Sequence, residues 1–228
     1  LYSLNDDEWN DYSHEYKYNP DGHAASHRRS DLVSFNINHL LSSRLFYELK
    51  LSYLENFGGW YVYEDPTDPR YVHDAYHNID GPGFWTGGQD KDHSRRTMKD
   101  YSAKFDMTWQ MNINHSFKFG IDYTYHHLDR RWSQIRNKYN GTEEEGVFTY
   151  DPVAEKLTFP NYEPVIFPDS SVYSDIYTVE PIEFSAYIQD KMEFDEMVIN
   201  FGVRYDYFNP NTVYPSQPRN PANQLDFS

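Results

Sequence analysis

The chain has 228 residues, and its 36 Asp and Glu against 20 Lys and Arg give a formal net charge of −16 at neutral pH. This balance disfavours nucleic acid as a partner, because a negative surface repels phosphates. There is no Cys, which excludes disulfides, thiolate metal ligands and cysteine nucleophiles. Apolar residues make up 38% and aromatic residues 18%, a composition typical of neither a disordered chain nor an ordinary soluble core.

The sequence contains neither a membrane-spanning helix nor a recognisable start of a protein chain. No run reaches the ~18 consecutive apolar residues that a membrane-spanning helix needs. The sequence starts at Leu1 without an initiator Met or a secretory leader pattern. We therefore expect it to be an internal part of a longer chain.

Apolar and polar residues alternate with period two in several stretches, which predicts β-strands. In the first stretch Val33, Phe35 and Ile37 share one face, while polar residues occupy the other. The alternation predicts six strands in three hairpins, near residues 31–40 and 45–54, 99–111 and 117–128, and 183–192 and 197–207. Short links join the two strands of each hairpin.

The segments between the hairpins have no sustained period and are rich in Gly, Pro, Asp and aromatic residues, so they are predicted loops. They cover residues 1–30, 56–98, 129–182 and 208–228. Loops of this length usually carry function or are disordered. All of them fall at one end of the predicted strands, and the short links fall at the other.

Three features favour a membrane wall over a soluble sheet, although both alternate with period two. About ten residues per strand at ~3.3 Å each, tilted by ~40°, span roughly 25 Å, the height of the apolar band on outer-membrane barrels. Long loops at one end and short turns at the other are typical of such barrels. Aromatic residues mark both ends of the apolar face: Tyr53, Tyr101, Tyr125 and Tyr207 at the loop end, Trp109 and Phe117 at the turn end.

The sequence therefore predicts an all-β fold, an antiparallel up-and-down segment of a transmembrane β-barrel. Six strands are too few to close such a barrel, and lipid cannot satisfy open sheet edges, so we expect further strands. The polar face then lines a lumen of mixed charge. The residues predicted to face it are Lys104, Asp106, Asp122, Tyr187, Gln189, Arg204 and Asp206.

The last hairpin also resembles a known family. Residues 184–194 read FSAYIQDKMEF and residues 198–208 read VINFGVRYDYF. A Tyr-Ile-Gln-Asp strand that meets a Gly-Val-Arg-Tyr-Asp strand across a short turn is similar to the barrel of TonB-dependent outer-membrane receptors. Two earlier segments are similar in style, residues 46–53 (FYELKLSY) and 115–123 (HSFKFGIDY).

This resemblance implies a barrel of about 22 strands around an N-terminal plug. It implies a multi-pass protein of a Gram-negative outer membrane that imports a scarce ligand with energy from the TonB complex. Siderophores, glycans, cobalamin and peptides are the ligand classes it suggests. The partners are then outer-membrane lipid, the TonB complex through a plug outside this sequence, and a small-molecule or glycan ligand. We expect no enzyme activity, because no catalytic motif is present.

Ligand capture is expected in the outer loops, where aromatic rings offer stacking area. The candidates are Trp60, Tyr61, Tyr63, Tyr71, Tyr76, Phe84 and Trp85. The alternative is that these rings form a small core of the loops themselves.

Metal binding is a weaker hypothesis, and no metal site is assigned. His73 and His77 are four residues apart, a spacing that places two imidazoles together only on a helix. No cofactor is required, but Ca²⁺ is a possible ligand of the outer loops at residues 6–8, 19–22 and 78–81, because acidic turns offer several oxygens.

Two other functions remain open from the sequence. A passive porin or an adhesin-type barrel has the same strand pattern. A soluble, secreted β-sandwich that binds carbohydrate through its Trp and Tyr loops also alternates with period two.

Overall fold

The computed structural model describes residues 1–77 and 83–213, and this part of the chain is all-β. The strands are β1 (Tyr2–Trp9), β2 (Ala25–Ser42), β3 (Leu45–Tyr61), β4 (Asp92–Gln110), β5 (His115–Gln134), β6 (Arg136–Asn137), β7 (Thr149–Asp151), β8 (Lys156–Thr158), β9 (Pro164–Val165), β10 (Ser174–Val179), β11 (Ile182–Phe194) and β12 (Met197–Asn209). Two short 3-10 turns lie in the loops, at Pro20–Gly22 and Asp74–Tyr76. No helix in the described ranges has the length and apolar character to cross a membrane.

One antiparallel sheet of eight strands dominates the fold. Its order is β1-β2-β3-β4-β5-β11-β12, and β10 also pairs with β5. Each of the three predicted hairpins is a directly paired antiparallel couple: β2 with β3, β4 with β5, and β11 with β12. Over the described residues β1 and β12 are the two edges, so the sheet is open there and does not close into a barrel.

The strands β10 and β11 are two halves of one interrupted strand. Both pair with β5 in the same register, with Val179 opposite Leu128 and Ile182 opposite Tyr125. Pro181 lies at the break. Its carbonyl accepts a hydrogen bond from the His126 N–H at 2.9 Å, but proline has no N–H to donate in return.

The predicted loop boundaries were wrong wherever strands continue past the apolar alternation. Residues 2–9 form β1 inside the predicted loop 1–30, and β2 already begins at residue 25. The predicted loop 56–98 contains the end of β3 and the start of β4, and the predicted loop 129–182 contains the end of β5 and all of β10. These extensions carry charged and polar side chains on both faces among isolated aromatic ones, so no sustained alternation reveals them. The predicted loop 208–228 lies outside the described residues from 214 onward.

The short links and the long loops fall at opposite ends of the sheet. The turns between paired strands are residues 43–44, 111–114 and 195–196. They are shorter than expected, because the strands continue further into the turns than the sequence pattern does. The long connections are residues 10–24, 62–91 and 135–173. We call the two ends of the sheet the turn end and the loop end.

The register places the predicted tyrosines in rows across the sheet. Tyr53 pairs with Tyr101, and Tyr101 pairs with Tyr125. Their rings lie in contact, with centroids 5.0 and 6.1 Å apart. Tyr207 instead pairs with Phe184 and lies one row nearer the turn end, so the prediction that the four tyrosines share one level was wrong for Tyr207. Strand pairing, which the sequence leaves unfixed between β5 and β12, decides this offset.

The apolar face of the sheet is exposed, and the apolar side chains that are buried lie in the loops or at the strand end beside them. Phe35 is 57% exposed, Ile121 47% and Val203 62%. The buried apolar side chains of the described residues are Tyr16, Ala24, Tyr61, Tyr71 and Ile135, all at the loop end. The hydrophobic core of this part of the chain therefore lies at the loop end of the sheet and is not packed against the apolar face.

Candidate functional site

Three arginine pairs meet at one level near the loop end. The pairs are Arg28-Arg29 on β2, Arg95-Arg96 on β4 and Arg130-Arg131 on β5. The antiparallel register sets Arg28 opposite Gly58, Gly58 opposite Arg96, and Arg96 opposite Arg130. Residues far apart in the chain thereby form a single row across β2, β3, β4 and β5.

The arginines on the apolar side of the sheet have carboxylate partners. Neighbouring residues of a strand point to opposite faces. On the side that continues the apolar face, Arg29 lies 2.8 Å from Asp31, and Arg131 lies 3.0 Å from Asp129. Arg95 lies 3.4 Å from Glu64. These side chains belong to a mixed, largely neutralised surface.

The arginines on the opposite face, Arg28, Arg96 and Arg130, have fewer carboxylate partners. Arg28 and Arg96 are exposed, and neither makes an ion pair with another residue of the described ranges. Arg130 has an ion pair with Asp175 at 3.5 Å, while its buried Nε has no hydrogen-bond partner there. Asp7 of β1 is the cross-strand neighbour of Arg28, so the row extended to β1 holds three arginines and one aspartate. In a chain of net charge −16, it is a local excess of positive charge.

Gly58 opens the space between Arg28 and Arg96. A Cβ placed on Gly58 would meet no heavy atom within 4 Å. The position faces empty space on the side of the arginine row, so it forms the floor of a groove. The groove measures about 500 Å³.

A row of tryptophans borders the arginines one step closer to the loops. Across the sheet Trp9 pairs with Ser26, Ser26 with Trp60, Trp60 with Ser94, and Ser94 with Trp132. Successive tryptophans are two strands apart, about 9–10 Å. The Arg28 guanidinium stacks 5.2 Å from the centre of the Trp9 ring. We call this surface the Arg–Trp groove, and its principal lining residues are Trp9, Arg28, Gly58, Trp60, Arg96 and Arg130.

Of the seven predicted ligand residues, only Trp60 lies in the Arg–Trp groove. Tyr61, its neighbour, points to the other face and is stacked between His27 and His93, with ring centroids 4.3 and 5.0 Å away. Burial lowers the pKa of His93, which favours the neutral form of that ring.

The other predicted ligand residues pack into loops 10–24, 62–91 and 135–173. Tyr63 packs edge-on against Tyr71, which is only 2% exposed. Tyr76 packs against Phe159. Phe84 contacts His14 and Tyr18, and Trp85 stacks on His77 at 4.5 Å and packs edge-on against Tyr16. The structure therefore brings these rings into a loop core and not onto one open platform.

Polar groups fasten this loop core. Asp90 accepts hydrogen bonds from the Tyr16 hydroxyl and from the Ala24 N–H, the latter at 2.8 Å, and its other contact is the His23 ring at 2.7 Å. Burial and the contact with Asp90 raise the pKa of Tyr16 far above its ordinary value. The ring therefore remains protonated and able to donate.

Lys91 is a buried cation in the same core. Its Nζ donates to the Val72 carbonyl at 2.5 Å and to the Tyr162 hydroxyl at 2.6 Å, and it lies 4.3 Å from the centre of the Tyr162 ring. Asp74 is its carboxylate neighbour at 3.7 Å. Burial lowers the Lys91 pKa to about 8, because the distant carboxylate only partly offsets the loss of water.

The residues predicted to line a lumen share the face that bears the Arg–Trp groove. Lys104 pairs with Asp122, and Tyr187 pairs with Arg204. Two ion pairs join side chains within this set: Lys104 lies 3.4 Å from Asp106, and Arg204 lies 2.8 Å from Asp206. Gln189 occupies the same face, opposite Gly202. Most side chains of this face between the turn end and the groove are polar.

The described residues do not bring the candidate metal ligands together. No group of three or more His, Asp or Glu side chains is gathered as a metal site in those ranges. His73 stacks on Phe159 instead of approaching His77. Residues 6–8, considered as a Ca²⁺ turn, form part of the extended strand β1, so that prediction was wrong, because a strand turns successive carboxylates to opposite faces. The candidate at 78–81 lies outside the described residues.

Sequence reasoning missed the arginines, although a signal was present. The three Arg-Arg pairs hold six of the 20 basic residues. Only the strand register shows that the three pairs lie at the same level of the sheet as Gly58.

Comparison with known proteins assigns the chain to no family. No protein-family model matches the sequence, and no curated protein matches it significantly.

Proposed function

We propose that this chain forms part of the wall of a TonB-dependent receptor in a Gram-negative outer membrane, a transporter that captures its ligand outside the cell. The observation that carries the proposal is the abrupt end of the exposed apolar face at a row of tyrosines. Below that row the face is apolar, and above it the same face is charged.

The change happens within two residues on each strand. The row of Tyr53, Tyr101 and Tyr125 is followed toward the loops by Glu55, Lys99 and His127. The Tyr53 hydroxyl donates to Glu55 at 2.5 Å, so the polar tip of the ring points away from the apolar side chains. Tyr2 does the same on β1, donating to Asp31 at 3.2 Å. Tyrosines at a membrane surface adopt this orientation, with the ring in the hydrocarbon and the hydroxyl among headgroups.

The height of the apolar face suits an outer membrane. On β5 it extends from Phe117 to Tyr125, eight residue steps of ~3.3 Å or roughly 26 Å along the strand. At a tilt of ~40° this strand crosses roughly 20 Å, comparable with the apolar band of outer-membrane barrels. The edges β1 and β12 would need further strands in lipid, because unpaired backbone groups are costly there.

The rival β-sandwich lacks a covering layer in the described ranges. A sandwich buries the apolar face of one sheet against a second sheet. The two remaining sheets pair β6 with β9 and β7 with β8, and all four short strands lie in the loop 135–173. They are too small to cover the eight-stranded sheet.

Site-specific labelling of introduced cysteines tests the membrane orientation. The sequence has no Cys of its own, so each variant carries one reactive thiol within these 228 residues. Thr142→Cys places a thiol in the loop 135–173, and Asp195→Cys places one in the turn 195–196; both positions are exposed. On intact cells that express the full-length protein, a bulky polymer-linked maleimide is expected to label only the loop variant. The turn variant is expected to react after the outer membrane is permeabilised. Equal labelling of both variants on intact cells contradicts the proposal.

Energy coupling separates an active receptor from a passive porin. For a TonB-dependent receptor, deletion of TonB abolishes ligand uptake but leaves binding at the cell surface unchanged. Unchanged uptake in that strain favours the passive barrel.

A further inference from the structure

We propose that the Arg–Trp groove binds an oligosaccharide that carries carboxylate groups, such as a chain of uronic acids. This inference deepens the proposed function and rests on it only for the side to which the groove opens. Binding itself depends on the residues of the groove.

The charge of the groove selects an anion. The exposed guanidinium groups of Arg28 and Arg96 have no carboxylate partner in the described part of the chain. A guanidinium offers two parallel N–H donors that match the two oxygens of a carboxylate. The surrounding protein is strongly acidic, so an anionic ligand is attracted at this row and repelled elsewhere.

The tryptophan row selects a chain of rings. Trp9 and Trp60 are two strands apart, about 9–10 Å, so one sugar ring cannot lie on both. A ligand that contacts both rings therefore has at least two units. Ser26, between them, offers a hydroxyl to a polar substituent.

The two rows repeat with the same spacing, which points to a repeating ligand. Arg28 and Arg96 are also two strands apart, on either side of Gly58. A ligand that uses both rows presents an apolar ring face and a negative group at each repeat. A chain of uronic acids has this pattern, whereas a neutral glycan leaves the arginines without partners and a small inorganic anion leaves the tryptophans uncovered.

Binding to the full-length protein in detergent tests the inference. The probes are oligomers of galacturonate, of mannuronate and of the glucuronate-containing hyaluronan repeat, together with methyl-esterified galacturonate oligomers, and binding is followed by calorimetry. At least one acidic oligomer is expected to bind, with an affinity that falls as salt increases. The methyl ester, which has the same rings without the charge, is expected to bind at least about tenfold more weakly.

Paired variants locate the site. The double variant Arg28→Gln, Arg96→Gln is expected to weaken binding of the acidic oligomer by about 30-fold or more, since two charged hydrogen-bonding partners are lost. The control Arg29→Gln, Arg95→Gln removes the same charge from the opposite face and is expected to change the affinity by less than about threefold. A third variant, Gly58→Phe, fills the groove without changing its charge and is expected to prevent binding.

The outcomes separate this inference from the membrane proposal. No binding by any acidic oligomer, equal binding of acid and ester, or equal losses in the two double variants would overturn the groove as an acidic-glycan site. None of these results changes the labelling expected at residues 142 and 195. Labelling of both cysteines on intact cells would overturn the membrane orientation and leave the binding result standing.

Discussion

Tyr187 of β11 reaches across Gly120 of β5 and donates a hydrogen bond to Asp106 of β4 over 2.7 Å. The link ties three neighbouring strands together on the polar face. It is possible only because Gly120 has no side chain. A Cβ at Gly120 would lie 2.4 Å from a ring carbon of Tyr187 and 2.5 Å from an oxygen of Asp106.

Gly120→Ala is therefore expected to destabilise the sheet by about 1–3 kcal/mol, because the ring and the carboxylate must move apart. The measurement is urea unfolding of the protein in detergent micelles, followed by tryptophan fluorescence. Gly58→Ala, on the same face of β3 but nearer the loop end, is the matched control, since its Cβ meets nothing within 4 Å. Equal losses in the two variants would show that the Tyr187–Asp106 link does not depend on Gly120.

Ile121→Arg tests which face meets lipid. Ile121 lies within the exposed apolar face, opposite Phe105 of β4. If that face is in the membrane, the arginine is expected to cost about 2–4 kcal/mol of folding free energy in lipid vesicles. Asn200→Arg, on the polar face of β12, is expected to cost clearly less. A folding assay in which both variants are tolerated alike contradicts the assignment of the faces.

Tyr71→Ala tests whether the loop aromatics are a core or a ligand platform. Tyr71 is 2% exposed and packs against Tyr63. Its truncation is expected to cost about 3–5 kcal/mol locally, because a large buried ring leaves a cavity. Limited proteolysis should then cleave the loop 62–91 much faster, while the sheet stays folded. Tyr12→Ala, at a site 77% exposed, should leave the cleavage rate unchanged.

The buried Lys91 predicts a pH dependence of the same loop core. Its pKa in the folded state is about 8, lowered from 10.5 by burial. Between these two values the unfolded chain holds the proton and the folded chain does not, so stability rises as pH increases through this window. Below pH 8 Lys91 is charged in both states, and burying that charge is a cost that the fold carries.

Hydrogen exchange in the loop 62–91 measures this effect. Protection is expected to increase between pH 8 and about 9 after correction for the intrinsic exchange rate, below the range in which the ordinary tyrosines of the unfolded state ionise. Asp74, Tyr71 and Tyr162 are the charged or titratable groups around the ammonium. Lys91→Met keeps the apolar stem and should remove the increase. The same slope in that variant assigns the effect to another group.

The sequence alone determined the strands that carry an apolar face and their grouping into hairpins. Alternation such as Val33, Phe35 and Ile37 is visible because successive side chains of a strand point to opposite faces, and here one face is apolar and the other polar. The same reasoning placed long loops at one end and short turns at the other. It also singled out Trp60, which lies in the Arg–Trp groove.

Only the tertiary structure decided the arrangement of the strand segments between the tyrosine row and the loops. There charged and polar residues occur on both faces of a strand among isolated aromatic ones, so β1 and the strand extensions have no sustained period that a sequence can show. The register of β2, β3, β4 and β5 places Arg28, Gly58, Arg96 and Arg130 in one row. That register depends on the lengths of two turns and one long loop, which no local sequence pattern encodes. The burial of Tyr71 was equally hidden, since a ring that packs in a loop core and a ring that waits for a ligand have the same side chain.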